Sequence, residues 1–357
     1  MPRNIIVAFL GTSMALCLMF AQFNVNITKR SMHILILIFL FAIFGMYQIN
    51  MSNGLLTFFS YFPAFLLFVL PRDKKLNLLN FISKWYSIIL ALSIVVYGLT
   101  YIVNLPSIGS FIAEDLNYPP YENYILFIKQ SMYDNYVYRF NGMFLEPGHQ
   151  AMISGILLFA NKYDFINKKY LLIPLIAILI SFSLAGYVIL FIGVILLYTK
   201  SIIKLIGLGI MLLMLNLFVT ELWNDGDNPV NYLIFSRLEY DDDKGITGNN
   251  RTIKQTDDYF DKCVKDGTIF LGVRNNKQDK YRIRGAGYKI YLIRYGILSA
   301  LIVIGIYILL INPKCNRRYG ISFFLLMTLI FLQRAYPTWY SWLLPYVLGT
   351  GIYLVSH

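Results

Sequence analysis

RFNGMFLEPGHQAMISGILLFA, residues 139 to 160, changes character halfway along. Its first eleven residues hold Arg139, Glu146 and His149, one of only three histidines in the chain, with Pro147-Gly148 between the last two. An apolar stretch follows at once. Proline is tolerated in the first turn of a helix, so Pro147 marks a helix start, and the first backbone N–H groups of that helix have no partner within it. The pattern predicts a helix entering a hydrophobic layer from a polar mouth.

Apolar runs of this kind recur along the whole chain. Of its 357 residues 57% are hydrophobic and only 14% charged, against about 25% charged in soluble domains. Runs near 20 residues match helices crossing a hydrocarbon layer about 30 Å thick. No periodic polar face separates them, which argues against one large soluble core. The expected fold is an all-α polytopic membrane protein of about 11 (10–12) transmembrane helices in a single membrane domain, 1–357. The spans fall near 5–22, 32–49, 54–70, 82–104, 145–160, 170–183, 185–198, 205–220, 288–311, 320–335 and 338–354. The run from Tyr170 to Tyr198 is too long for one ordinary span, and Ser181, Ser183 and Gly186 predict a break within it. The first run lacks a convincing small-residue cleavage site and reads as a retained helix, not a signal peptide.

The net charge of +12 does not indicate nucleic acid, because the basic residues sit in short loops between apolar runs. Lys29-Arg30, the RDKK loop at 72–75 with Lys84, Lys162 with Lys168-Lys169, Lys200 with Lys204, and Lys314 with Arg317-Arg318 all fall on one side of an eleven-span topology. That side is expected to be cytoplasmic. The N-terminus is then external and the C-terminus internal, with membrane lipids surrounding the spans. Cys17, Cys263 and Cys315 are isolated and form no CxxC pair, so neither a zinc site nor a redox pair is indicated.

Two long segments, 105–144 and 221–287, fall on the external side and are expected to cap the site. The second holds 12 of the 19 acidic and 11 of the 31 basic residues. Loops this long are usually functional or disordered. Tyr232 to Phe235 and Ile269 to Leu271 supply apolar material for docking, around a mobile centre at DDDKGITGNN, 241–250. There is no internal repeat, P-loop or dinucleotide fingerprint.

Arg139 reads either as a snorkelling boundary arginine or, with Glu146 and His149 at i+7 and i+10, as part of one face of a helix-like course. The free N–H groups after Pro147-Gly148 suit a phosphate. Glu146 is either a helix-start carboxylate or a general base. His149 is either an interface histidine or a proton relay. In the large loop Arg237 and Arg251 offer planar forks that match phosphate oxygens without a metal. Asp241 to Asp243 offer these arginines a salt-bridged alternative. Arg334, beside Tyr336, Trp339 and Tyr340, reads as an interfacial belt residue.

In order, RFNGMFLEPGHQAMISGILLFA (139–160), SFSLAGYVILFIGVILL (181–197), SRLEYDDDKGITGNNRT (236–252) and GAGYKIYLIRYGILSALI (285–302) resemble the O-antigen polymerase and ligase superfamily. The resemblance is nearer to the O-antigen or capsular polysaccharide polymerases, often called Wzy-type. It covers the chain from about residue 80 and rests on motif order and topology. It implies a GT-C-like, metal-independent glycosyltransferase, without cofactor, at the external face of the bacterial cytoplasmic membrane. Polyprenyl-pyrophosphate-linked oligosaccharides are the implied substrates, polymerised with inversion, and a chain-length-regulator membrane protein is an implied partner. By the same resemblance Arg139, Arg237 and Arg251 bind pyrophosphate, Glu146 is the acidic residue of the EP motif, and Gly285 with Gly287 form the glycine exit of the large loop. His149 is a less regular position in that pattern. The ligase branch carries a histidine late in its large loop, whereas no histidine lies between His149 and His357 here. LGVRNNKQDKYRIRGAG departs from the compact glycine-rich form, so Arg274 and Arg282 receive no catalytic role. The alternatives are an O-antigen ligase acting on lipid A core and a lipid-linked oligosaccharide flippase.

Overall fold

The computed structural model describes residues 27–48, 51–112, 120–130, 139–198, 206–207, 210, 214, 216–228, 230–236, 238–241, 245–246, 254–273, 287–334, 337 and 339–353. The chain is mostly helical. In order come α1 (Lys29–Gln48), α2 (Met51–Val69), α3 (Arg72–Ile102), α4 (Pro147–Ala160), α5 (Leu172–Ile180), α6 (Leu184–Tyr198), α7 (Lys254–Lys265), α8 (Tyr288–Leu310), α9 (Arg317–Gln333) and α10 (Tyr340–Ile352). Three of them are long and apolar enough to cross a membrane: α1 over Lys29–Tyr47, α3, and α8. The expected span 5–22 and part of 205–220 lie outside the described residues.

The described chain divides into two compact units, 1–79 with 250–357, and 80–249; the division falls within α3. Between α3 and α4, in the expected first external loop, the chain also makes a small antiparallel sheet ordered β1 (Gly109–Phe111), β2 (Tyr121–Asn123), β3 (Ile128–Gln130). A further two-residue pair, β4 (Tyr240–Asp241) with β5 (Gly245–Ile246), lies in the second loop. Hydropathy does not reveal such short strands, because a three-residue ladder carries almost no periodic signal.

The faces of α3 are inverted relative to a soluble helix. Phe81, Trp85, Ile88, Leu92, Val95, Leu99 and Ile102 are exposed at alternating spacings of four and three, while Ser83, Ser87 and Ser93 are buried. Water would reverse that arrangement. From Phe81 to Ile102 the exposed stripe runs about 30 Å at 1.5 Å per residue, the thickness of a hydrocarbon layer. The RDKK run expected as a loop is instead the first turn of α3. Lys75 is buried there and donates to Phe68 O at 2.7 Å, and Arg72 Nε donates to Ile352 O at 2.9 Å. These cations complete the last turns of α2 and α10, whose carbonyls lack helical partners, so the helix begins ten residues before the expected span.

In the first unit α1 and α2 pack so closely at Gly54 that a Cβ there would lie 2.7 Å from Ala42 O. α8 is kinked. Gly296 sits at φ 80°, ψ 168°, inside the helix. The segment after α7 runs against this bare backbone, and Val273 N–H donates to Ile293 O at 2.7 Å. Tyr259, Cys263, Ile269 and Val273 thereby form one cluster with Ile293. The expected docking of the large loop holds for Ile269, whereas Phe270 and Leu271 are exposed. The expected belt residue Arg334 is instead buried, at 4% exposure. It occupies the C-cap of α9, where a helix dipole favours a cation.

In the second unit the turn after α4 carries a polar network. Asn161, fully buried, donates to Ser83 Oγ at 2.9 Å and accepts from Lys168 Nζ at 2.7 Å. Burial holds the Lys168 ammonium below the ordinary lysine value of 10.5, and Asp164 offsets this in part. Between that lowered value and 10.5 the unfolded chain binds the proton that the native chain has released. Stability therefore rises with pH through this window. A melting midpoint in detergent is expected to show an alkaline rise that Lys168→Met removes. Parallel pH curves for the two proteins would refute this account.

Candidate functional site

The second unit assembles the polar mouth from three pieces of chain. α4 starts at Pro147, with Glu146 as its N-cap at φ −131°, ψ 136°. Glu146 therefore stands beside the positive end of a helix, the position of a helix-start carboxylate. Residues 139–146 are not helical. The expected helix-like course through Arg139 is incorrect, because Gly142 takes φ 55° and the helix forms only after the proline. Glu146 and His149 do come together across the first turn, Nε2 to Oε2 4.0 Å, both largely buried at 16% and 14% exposure.

From Gln150 to Ala160 every residue of α4 is buried. A helix enclosed on all sides is the centre of its unit. Its polar groups are met from α3. Gln150 Nε2 donates to Ser154 Oγ at 2.9 Å, and the Tyr86 hydroxyl lies 3.0 Å from the same oxygen. These partners escaped sequence reasoning, although lone polar residues within apolar runs (Ser83, Gln150, Ser154) were the available signal.

The predicted break in 170–198 lies at Ser181 to Ser183, between α5 and α6, with Phe182 in the left-handed region at φ 44°. Four carbonyls around the break are taken. The Tyr187 hydroxyl donates to Leu179 O at 2.6 Å, and Phe140 N–H to Ile180 O at 3.2 Å. Arg139 donates from Nε to Ser181 O at 3.1 Å and from Nη2 to Phe182 O at 2.8 Å. Phe140, fully buried against Leu90, Phe127 and Ala177, anchors the chain next to that guanidinium. Arg139 is thus first a fastener of the broken helix, with at least two of its five donors committed to backbone.

That fastening places a second helix start beside the first. Gly186 packs on Ala151, Gly155 on Ile189, and Gly193 on Phe159. The paired numbers rise together, so α4 and α6 run parallel and their N-termini lie at the same end. Glycine allows this approach: a Cβ on Gly155 would lie 2.8 Å from Ile189. Ser183 Oγ accepts from Gly186 N–H at 3.4 Å at the start of α6. Two positive helix ends, the Arg139 guanidinium, a carboxylate and an imidazole therefore gather at one end of this unit. Such an arrangement attracts an anion and holds an acid–base pair next to it.

Gly287, in the other unit, is the N-cap of α8 at φ 107°, and a Cβ there would lie 3.3 Å from both Leu332 O and Gln333 O. Its role in the fold is to admit the end of α9. Arg237, Arg251 and Gly285 lie outside the described residues. Comparison with protein-family models, with curated proteins and with solved structures yields no match.

Proposed function

We propose that this protein is a membrane glycosyltransferase that polymerises polyprenyl-pyrophosphate-linked oligosaccharides into O-antigen or capsular polysaccharide. The observation that carries the reading is the paired, parallel helix N-termini of α4 and α6, with Arg139, Glu146 and His149 at the same end. The motif order in the sequence adds the substrate class. On this reading the chain has about eleven spans in a GT-C-like arrangement, and the site faces the exterior of the cytoplasmic membrane.

The helix ends and Arg139 stabilise charge on the departing lipid pyrophosphate. Arg237 and Arg251 bind the pyrophosphates of donor and acceptor. Glu146 orients or deprotonates the acceptor hydroxyl, with His149 beside it to relay the proton, and direct displacement inverts the anomeric centre. Charge stabilisation by N–H groups and guanidinium forks needs no metal, so chelation by EDTA is expected to leave the rate unchanged. A rate lost to EDTA and restored by a divalent cation would overturn that part of the proposal.

The deciding experiment supplies purified protein in liposomes with a defined polyprenyl-pyrophosphate repeat unit. A ladder of multiples supports the polymerase. A single transfer that requires lipid A core points to a ligase instead. The breaks at 181–183 and Gly296 favour one other reading, a lipid-linked oligosaccharide flippase, since discontinuous helices line transport sites. Movement of labelled substrate across the liposome wall without any new glycosidic bond would select it.

A further inference from the structure

At one end of the first unit, cations stand where helix dipoles disfavour them. α1 opens with Lys29-Arg30 and α9 with Arg317-Arg318, and neither has an acid in its first turn. α3 opens with Arg72, Lys74 and Lys75 against Asp73 alone. A helix N-terminus is the positive pole, so a basic first turn is unfavourable unless an anion lies nearby.

Arg30, Arg72 and Lys75 donate to backbone carbonyls at the ends of neighbouring helices. Arg30 donates to the last turn of α8, from Nε to Leu309 O at 2.8 Å and from Nη2 to Ile308 O at 2.9 Å and Ile311 O at 2.8 Å. Arg72 and Lys75 complete α10 and α2 as described above. The same contacts draw the helix ends together: Asn316 N–H donates to Tyr353 O at 2.8 Å, and the rings of Tyr319 and Tyr353 lie 4.9 Å apart. Lys29, Lys74, Lys314, Arg317 and Arg318, at this same end, are exposed. Among the described first turns of α1, α3 and α9, Asp73 is the one acidic residue.

We propose that this basic end, centred on Lys314, Arg317 and Arg318, is a docking surface for the phosphate headgroups of anionic phospholipids. Charge complementarity carries the assignment, and the depth of the surface selects the partner. α1 begins and α8 ends here, and both are long and apolar enough to cross a bilayer. The surface therefore lies at headgroup level. Headgroup phosphates replace the missing first-turn acids of α1 and α9 and neutralise the outer cations. The inference rests on α1 and α8 spanning the membrane. If they did not, the protein would remain in solution without detergent, an outcome distinct from a failure of lipid preference.

The test washes the purified full-length protein in detergent containing equal phosphatidylglycerol and phosphatidylcholine, then quantifies retained lipid by mass spectrometry. Wild type is expected to retain phosphatidylglycerol in preference, by about fivefold for each cation engaged, and salt is expected to reduce the ratio. Lys314→Gln/Arg317→Gln/Arg318→Gln brings the ratio to near one. Arg317→Lys/Arg318→Lys keeps it, because the charge remains. The neutral variant removes cations from the positive pole of α9, so its fold is expected to persist. Should it fail to fold, Lys29→Gln/Lys314→Gln, which leaves α9 intact, is expected to lower the ratio. Equal retention of the two lipids by wild type, or an undiminished preference in the neutral variants, overturns the proposal.

Discussion

Glu146→Gln is expected to lower the rate of ladder formation by about 10² to 10⁴-fold, the range of one general acid–base group, with protein abundance unchanged. The substitution keeps the shape of the side chain and removes its basicity. Glu146 makes no side-chain cap bond to α4, so loss of the carboxylate leaves the start of that helix intact. His149, 4.0 Å away, supplies the internal control. His149→Gln is expected to reduce the rate less than Glu146→Gln does. Full polymerisation by a normally abundant Glu146→Gln protein would leave Glu146 as a helix-start carboxylate and remove it from the chemistry.

The second large effect lies in the first unit and acts on the fold. Gly296→Ala is expected to destabilise the protein by at least about 3 kcal/mol, since positive φ and steric overlap act together. A Cβ there would stand 2.5 Å from Leu271 C and 2.6 Å from both Gly272 N and Phe270 O. None of these is a flexible side-chain tip. To make room the segment after α7 must leave α8, which breaks the Val273 N–H bond to Ile293 O and opens the Tyr259–Cys263 cluster. The variant is expected to melt earlier and to expose residues 254–273 to protease. Gly98→Ala in α3 has no heavy atom within 4 Å of the added carbon. It is expected to be neutral or mildly stabilising, because alanine is the better helix former. Equal melting points for the two variants would show that the α7 segment is not wedged against the kink.

Several features were legible in the sequence for identifiable physical reasons. The start of α4 was marked by Pro147. The break in 170–198 was readable because serines and a glycine interrupt a run that is otherwise uniformly apolar. The kink at Gly296 was not, since one glycine within a long apolar run carries no sign of its left-handed conformation until another backbone approaches. The fate of the basic residues was equally hidden. Loop charge separates one side of a membrane from the other, yet it does not distinguish a solvated lysine from Lys75, buried and bonded to Phe68 O.

Arg139 shows where the two kinds of information divide. Local sequence determined that residues 139–149 form a polar mouth before an apolar helix, because Pro147 and the hydropathy change act over a few residues. The tertiary structure alone decided what Arg139 touches. Its partners, Ser181 O and Phe182 O, lie more than forty residues away and are backbone atoms, which every residue carries and no side-chain pattern marks. Tertiary packing also decided that α4 and α6 run parallel, since that depends on which small residues of two separate runs meet.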